Sequence, residues 1–187
     1  MPRLCVFCGS SSGNRLIFAD ETRKLGKLMA ESGVGLVYGG GNVGLMGILA
    51  RTVLEGGGEV IGVIPRSLEA KELALYETTR LHVVDSMHER KALMADLADG
   101  FAALPGGFGT CDELFEILTW AQLGLHNKPI GLFNVDGFFT PLLSWLETLV
   151  QQGFVKASNL RLLSVAQDAA AILKFVERGG WSVNRKN

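Results

Sequence analysis

The sequence predicts an α/β protein, a doubly wound parallel sheet with helices on both faces, and three observations lead there. Short apolar runs alternate with amphipathic stretches from one end of the chain to the other. The apolar runs are hydrophobic throughout, the pattern of strands covered on both sides. Apolar residues make up 48% of the 187 residues, enough to fill both faces of one covered sheet.

The elements follow in order. Residues 4–8 read as a strand, 17–32 as a helix, and 36–38 as a second strand running into Gly39-Gly40-Gly41. Residues 44–55 read as a helix despite their glycines, and 60–64 as a strand stopped by Pro65. Residues 65–80 are irregular, a loop or short helix over the rim. Residues 81–84 (strand), 87–97 (helix), 101–104 (strand) and 111–123 (helix) continue the alternation. The strand 130–133, the helix 139–152, and the final pair 162–165 and 169–177 close it. With right-handed crossovers, this makes one α/β domain over residues 1–180. A solvated tail, 181–187, carries Arg185 and Lys186. The loops after strand ends share one rim of such a sheet, where ligands bind.

Composition excludes several classes. Eighteen basic residues face nineteen acidic ones, and no basic stripe is visible, so no nucleic-acid partner is expected. There is no signal-peptide h-region and no apolar run long enough to span a bilayer, so a cytoplasmic protein without membrane association is expected. Three histidines are not at ligand spacing, so no metal is expected. Cys5 and Cys8 form a C-x-x-C, but three residues apart on a strand their side chains take opposite faces. They read as small core residues.

The loop Pro105-Gly106-Gly107-Phe108-Gly109-Thr110 joins a buried strand to a helix. Its glycines bring bare backbone close to a ligand, and amides at a helix start form an anion site. Thr110 and Glu113 have capping-box spacing, so this segment also reads as a purely structural turn. Asp112, Glu113 and Glu116 make the helix start acidic. Ser86 and Glu89 form another capping box, followed by Arg90 and Lys91. Cations in a first helical turn oppose the macrodipole, a local conflict typical of functional positions. Gly39-Gly40-Gly41-Asn42-Val43-Gly44 matches G-x-G-x-x-G. It follows the second strand instead of the first, and Glu59 lies at the beginning of the next strand instead of its end, which argues against a dinucleotide site. Gly9-Ser10-Ser11-Ser12 offers hydroxyls and amides to the same rim, or is a simple turn.

Leu104-Pro105-Gly106-Gly107-Phe108-Gly109-Thr110-Cys111-Asp112-Glu113 resembles the P-G-G-x-G-T-x-x-E signature of the Lonely Guy family. These are cytokinin riboside 5′-monophosphate phosphoribohydrolases, formerly labelled possible lysine decarboxylases. Further matches are Phe7-Cys8-Gly9-Ser10-Ser11, Gly44-Leu45-Met46-Gly47, Met87-His88-Glu89-Arg90-Lys91-Ala92 and Thr119-Trp120-Ala121-Gln122-Leu123-Gly124. The resemblance implies a single-domain Rossmann-like fold and a homodimer. It implies hydrolysis of the N-glycosidic bond of AMP and cytokinin riboside 5′-monophosphates, giving free base and ribose 5-phosphate with neither cofactor nor metal. It implies Arg90 and Glu113 as catalytic residues. Substrate contacts would come from Glu72, Met87, Lys91, Gly106, Gly107, Phe108, Gly109, Thr110, Cys111 and Asp112. Two departures stand out: Ala70-Lys71-Glu72 replaces a frequent Pro-Arg-Glu, and Cys111-Asp112 a frequent Leu-Glu.

The rival reading is a non-catalytic nucleotide or molybdenum-cofactor carrier on the same fold, which needs phosphate donors but no carboxylate facing the ribose. Lysine decarboxylation is rejected, because no lysine sits in a Schiff-base setting. Phe115, Trp120, Leu125 and His126 give the 111–123 helix more apolar surface than one sheet face needs, so the homodimer is expected to form there.

Overall fold

A computed structural model describes residues 1–69 and 73–178. The strands are β1 (Arg3–Phe7), β2 (Gly35–Tyr38), β3 (Val60–Pro65), β4 (Arg80–Val84), β5 (Gly100–Ala103), β6 (Ile130–Phe133) and β7 (Leu163–Ala166). The helices are α1 (Leu16–Glu31), α2 (Gly44–Glu55), α3 (Met87–Leu97), α4 (Phe108–Gln122), α5 (Thr140–Gln151) and α6 (Ala169–Arg178). Two short 3₁₀ turns, Val135–Gly137 and Ala157–Leu162, have no counterpart in the sequence reading. The expected tail, 181–187, lies outside the described residues, as does Glu72.

The strands form one seven-stranded sheet in the order β4-β3-β2-β1-β5-β6-β7, with every pair parallel. The chain winds outward from β1 to β4, then returns to lay β5 on the other side of β1. The order therefore reverses between β1 and β5, and their carboxyl ends open the crevice where α/β folds bind ligands. The inner strands β1, β2, β3, β5 and β6 are buried along almost their whole length, because helices cover both faces.

Alternate residues feed two cores. Leu4, Val6, Leu36 and Tyr38 pack with α1, α2 and α6. Cys5, Phe7, Val37, Ile61 and Phe101 pack with α3 and α4. Cys5 and Cys8 fall in different cores, as the two-residue repeat requires. Burial first, and then the nearby Glu113 carboxylate, push both thiols above the usual range, so they are inert.

The largest boundary error concerns α4. It starts at Phe108, three residues before the expected 111. Gly107 is its N-cap, in extended backbone with φ −99° and ψ −150°, and no side chain caps it. Thr110 therefore stands inside the first turn, and the Thr110–Glu113 capping box does not exist. The cause is a tight turn: a Cβ on Gly106 would lie 2.1 Å from Thr110 Oγ1, so only glycine lets the helix begin this early. The second box forms, since Ser86 Oγ accepts the Glu89 N–H at 3.1 Å. Glu89 reaches back one residue further than the motif requires, to the Asp85 N–H at 2.9 Å.

The irregular 65–80 segment is anchored on the 39–44 loop. Asn42 N–H donates to Leu73, Leu75 N–H donates to Gly40, and Gly41 and Ala74 form an isolated antiparallel bridge. Buried Leu75 fixes it to the core beneath α2.

Candidate active site

Three loops meet above the β1–β5 crevice. Gly9 N–H donates to the Pro105 carbonyl at 3.0 Å, joining the loop after β1 to the glycine loop after β5. The Gly9 carbonyl accepts from Leu45 N–H at 3.0 Å and Met46 N–H at 3.3 Å. The start of α2 is thus occupied by a protein oxygen. Its glycines serve close packing: a Cβ on Gly44 would lie 2.3 Å from Ser10 C, and one on Gly47 2.4 Å from Asn42 O. The G-x-G-x-x-G match at 39–44 is therefore a packing feature, with the helix amides it would offer a pyrophosphate already used.

The start of α4 differs. Gly107 and Gly109 have open space where a Cβ would project, so packing demands glycine at neither. Both are exposed, and Phe108 between them is 97% exposed. The first N–H groups of a helix have no intrahelical acceptor. Without a side-chain cap, they face open space and suit an anion. A cavity of about 220 Å³ lies beside them, lined by Gly9, Ser10, Ser12, Phe18, Gly106 and Phe138 among others. Thr110 is buried against Gly106.

Arg90 is only 4% exposed. Its Nε donates to the Val63 carbonyl at 3.1 Å and its Nη2 to the Gly39 carbonyl at 2.7 Å. Nη1 lies 3.8 Å from Met87 Sδ. The guanidinium therefore stands as a fixed cation under the ends of β2 and β3. Gly39 makes room for it, since a Cβ there would lie 2.0 Å from Nη2. Gly39→Ala is therefore expected to displace Arg90, lowering kcat by about tenfold or more; steady-state kinetics check this.

Glu113 is half-buried on α4. Its carboxylate and the Arg90 guanidinium both act on the Cys5 thiol, behind burial and in opposite directions. The fold has thus brought two groups 23 positions apart in the chain to the end of β1. Lys91 meets Asp112 at 3.0 Å and Glu116 at 3.1 Å, tying α3 to α4. Burial opposes its charge, and hydrogen bonds to the two carboxylates outweigh that, so its pKa is raised. Cys111 is half-buried, Asp112 exposed, and Met87 39% exposed at the rim.

Sequence reasoning missed the parts played by Gly39, Gly9 and Glu116. Glu116 had a visible signal, its i,i+4 spacing from Asp112 on the helix that follows the glycine loop. The roles of Gly39 and Gly9 rest on backbone carbonyls, which no residue letter reveals. Trp120, expected on an interface, packs against the protein's own α3–α4 core. Among the described residues, no group of three or more His, Cys, Asp or Glu is arranged to hold a metal ion. No described helix is long and apolar enough to cross a membrane.

The family model described as "Possible lysine decarboxylase" matches residues 46–176. A probable cytokinin riboside 5′-monophosphate phosphoribohydrolase of Oryza sativa subsp. japonica is 48% identical, covering 94% of this chain and 79% of the relative. A cytokinin riboside 5′-monophosphate phosphoribohydrolase of Arabidopsis thaliana is 46% identical, covering 94% of this chain and 82% of the relative. Among solved structures, the molybdenum cofactor carrier protein of Chlamydomonas reinhardtii superposes with a TM-score of 0.72 at 24% identity. That match covers 95% of this chain and 97% of the carrier, and shows a shared Rossmann-like fold. The P-G-G-x-G-T-x-x-E loop at a bare helix start, the convergence of Arg90 and Glu113 at the crevice, and these relatives together place the chain in the Lonely Guy family, the cytokinin riboside 5′-monophosphate phosphoribohydrolases.

Proposed function

We propose that this chain hydrolyses the N-glycosidic bond of nucleoside 5′-monophosphates, AMP and cytokinin riboside 5′-monophosphates, to free base and ribose 5-phosphate. The observation that carries the reading is the start of α4: open glycine backbone without a cap, with a half-buried carboxylate one turn further on.

The 5′-phosphate docks on the amides of Gly107, Phe108, Gly109 and Thr110, with Gly106 shaping the turn. This leaves the ribose over Glu113. Departure of the base builds oxocarbenium character on the sugar, as in glycoside hydrolysis. Glu113 stabilises that charge and takes a proton from the water that attacks C1′; the departing base takes up a proton from solvent, and Glu113 returns its own to solvent, so the protons balance. Arg90, fixed by two carbonyls, orients the nucleotide and the carboxylates. Met87 and Phe108 offer exposed apolar faces to the nucleoside, and Cys111 borders the same helix start. Glu72 holds the base or assists its departure.

The same reading covers organisation. Residues 1–180 act as one nucleotide-binding domain, working in the cytoplasm with no nucleic-acid partner, in keeping with three free cysteines and a near-neutral chain. The protein pairs as a homodimer through the α4 side. Leu123 and Leu125 are exposed just beyond that helix. A groove of about 410 Å³ between α4 and α5 is lined by Phe115, Leu118, Leu143, Trp145 and Leu160 among others. Lysine decarboxylation gains no support: a Schiff-base lysine needs a lowered pKa, whereas two carboxylates hold Lys91 protonated.

The test is a panel of nucleoside monophosphates and the matching nucleosides, assayed for free base. The monophosphates are expected to release base and the nucleosides to release little, because the phosphate anchor is missing. AMP that binds without any base release would point instead to a carrier.

A further inference from the structure

We infer that the Gly9–Ser12 loop is the second wall of the phosphate site, with the Ser10 and Ser12 hydroxyls donating to the 5′-phosphate that the start of α4 receives. This rests on the hydrolase reading, and it adds two binding residues from a different strand end.

Gly9-Ser10-Ser11-Ser12 follows β1 and Pro105-Gly106-Gly107 follows β5, the adjacent strands at which the sheet order reverses. The two loops touch backbone to backbone. Gly9 N–H donates to the Pro105 carbonyl, and a Cβ on Gly106 would lie 2.9 Å from Gly9 N. The cavity of about 220 Å³ opens between them, with Ser10, Ser11 and Ser12 on one side and Gly106 and Gly107 on the other. Gly107 is the N-cap of α4, so the cavity adjoins the uncapped amides, and an anion on those amides has the serine loop as its other neighbour.

The three serines differ in what their hydroxyls already do. Ser11 Oγ accepts the Gly13 N–H at 3.2 Å and so builds the turn in which Gly13 takes a φ of +71°. The Ser10 and Ser12 hydroxyls make no hydrogen bond among the described residues, and Ser10 is exposed. A hydroxyl donates to a phosphate oxygen without bringing a charge of its own, which suits a chain whose cations near the crevice are already engaged by protein oxygens. The loop is fixed from behind. The Gly9 carbonyl takes the Leu45 and Met46 N–H groups, and Gly44 lets α2 close against Ser10. The hydroxyls are thus presented by a backbone already in place, and binding has little left to order. The far end of the cavity is formed by Phe18, Leu45 and Phe138. Those side chains offer no donor, which keeps an anion at the Gly107 end.

The test compares S10A/S12A with S11A, using ribose 5-phosphate in calorimetry and AMP in steady-state hydrolysis. Hydrogen bonds to a charged group are the stronger kind, so S10A/S12A is expected to weaken ribose 5-phosphate binding and raise KM for AMP by about 10- to 100-fold. Its kcat should stay within about threefold, because the phosphate is held alike in ground and transition states. S11A removes only a turn contact and is expected to leave ribose 5-phosphate affinity within about threefold. Adenosine lacks the phosphate, so its Ki against AMP hydrolysis should move by less than about twofold in S10A/S12A. Unchanged ribose 5-phosphate affinity in S10A/S12A overturns the inference, as does an unmutated protein that binds no ribose 5-phosphate. An S11A defect as large as that of S10A/S12A, or an adenosine Ki that rises in parallel, also overturns it, since the loop would then act as a scaffold and not as a ligand. The calorimetry needs no turnover. Affinity lost in S10A/S12A without base release by the unmutated protein would remove the hydrolase reading and keep the phosphate site; base release with unchanged affinity would do the reverse.

Discussion

Glu113→Gln is expected to lower kcat for AMP hydrolysis by about 10³-fold, within the range spanned by general acid–base catalysis, while AMP still binds. The substitution keeps the shape of the side chain and removes only its charge and basicity. Binding should survive because, on the proposed reading, the phosphate sits on the uncapped backbone amides at the start of α4, which the change does not touch. The split matters more than the size. Loss of kcat with binding kept locates Glu113 on the reacting sugar. Single-turnover base release, together with AMP titration by calorimetry, measures both. Normal hydrolysis by this variant would remove Glu113 from the mechanism.

Arg90→Ala should lose both activity and stability. Its guanidinium donates to the Gly39 and Val63 carbonyls inside the fold. Truncation leaves both acceptors without these donors, at about 1–3 kcal/mol each. For a chain of this size that is a fall in Tm of roughly 5–20 °C. Activity should fall by about 10²-fold or more beyond what unfolding explains, because the proposed mechanism uses this fixed cation to orient the nucleotide. Arg90→Lys separates the two effects. An ammonium keeps the charge but cannot satisfy two carbonyls in one plane. It should recover part of the stability and little of the activity. Thermal melts and kcat/KM at a temperature where all variants are folded decide this. An Arg90→Ala protein with unmutated Tm would contradict the buried hydrogen bonds.

Much of this was legible from residue order. The strand 130–133 and the helices 44–55 and 87–97 were read with their observed bounds. Apolar periodicity is a local property, and these segments are long or sharply bounded. The 105–110 loop stood out as a candidate anion site because its glycines exceed what a turn needs. The structure sharpened that count: Gly106 is required by Thr110, whereas Gly107 and Gly109 are not required by packing. The α4 start was misread because Thr110–Glu113 imitates a capping box. The deciding contact, Thr110 Oγ1 2.1 Å from where a Cβ on Gly106 would stand, exists only in three dimensions. The 39–44 glycines looked like a dinucleotide fingerprint for the same reason; only the Gly9 carbonyl on Leu45 and Met46 shows the helix start to be filled.

The sequence by itself determined the layered α/β architecture, the rim that carries the loops, and the motif that names the family. Each rests on patterns within a few tens of residues. Tertiary structure alone decided that the sheet reverses between β1 and β5, that Arg90 is a buried cation on two strand ends, and that Lys91 grips Asp112 and Glu116. Strand order and side-chain partners across 21 to 51 positions depend on how separate elements dock. Docking energy is summed over the whole core, and no local stretch of sequence carries it.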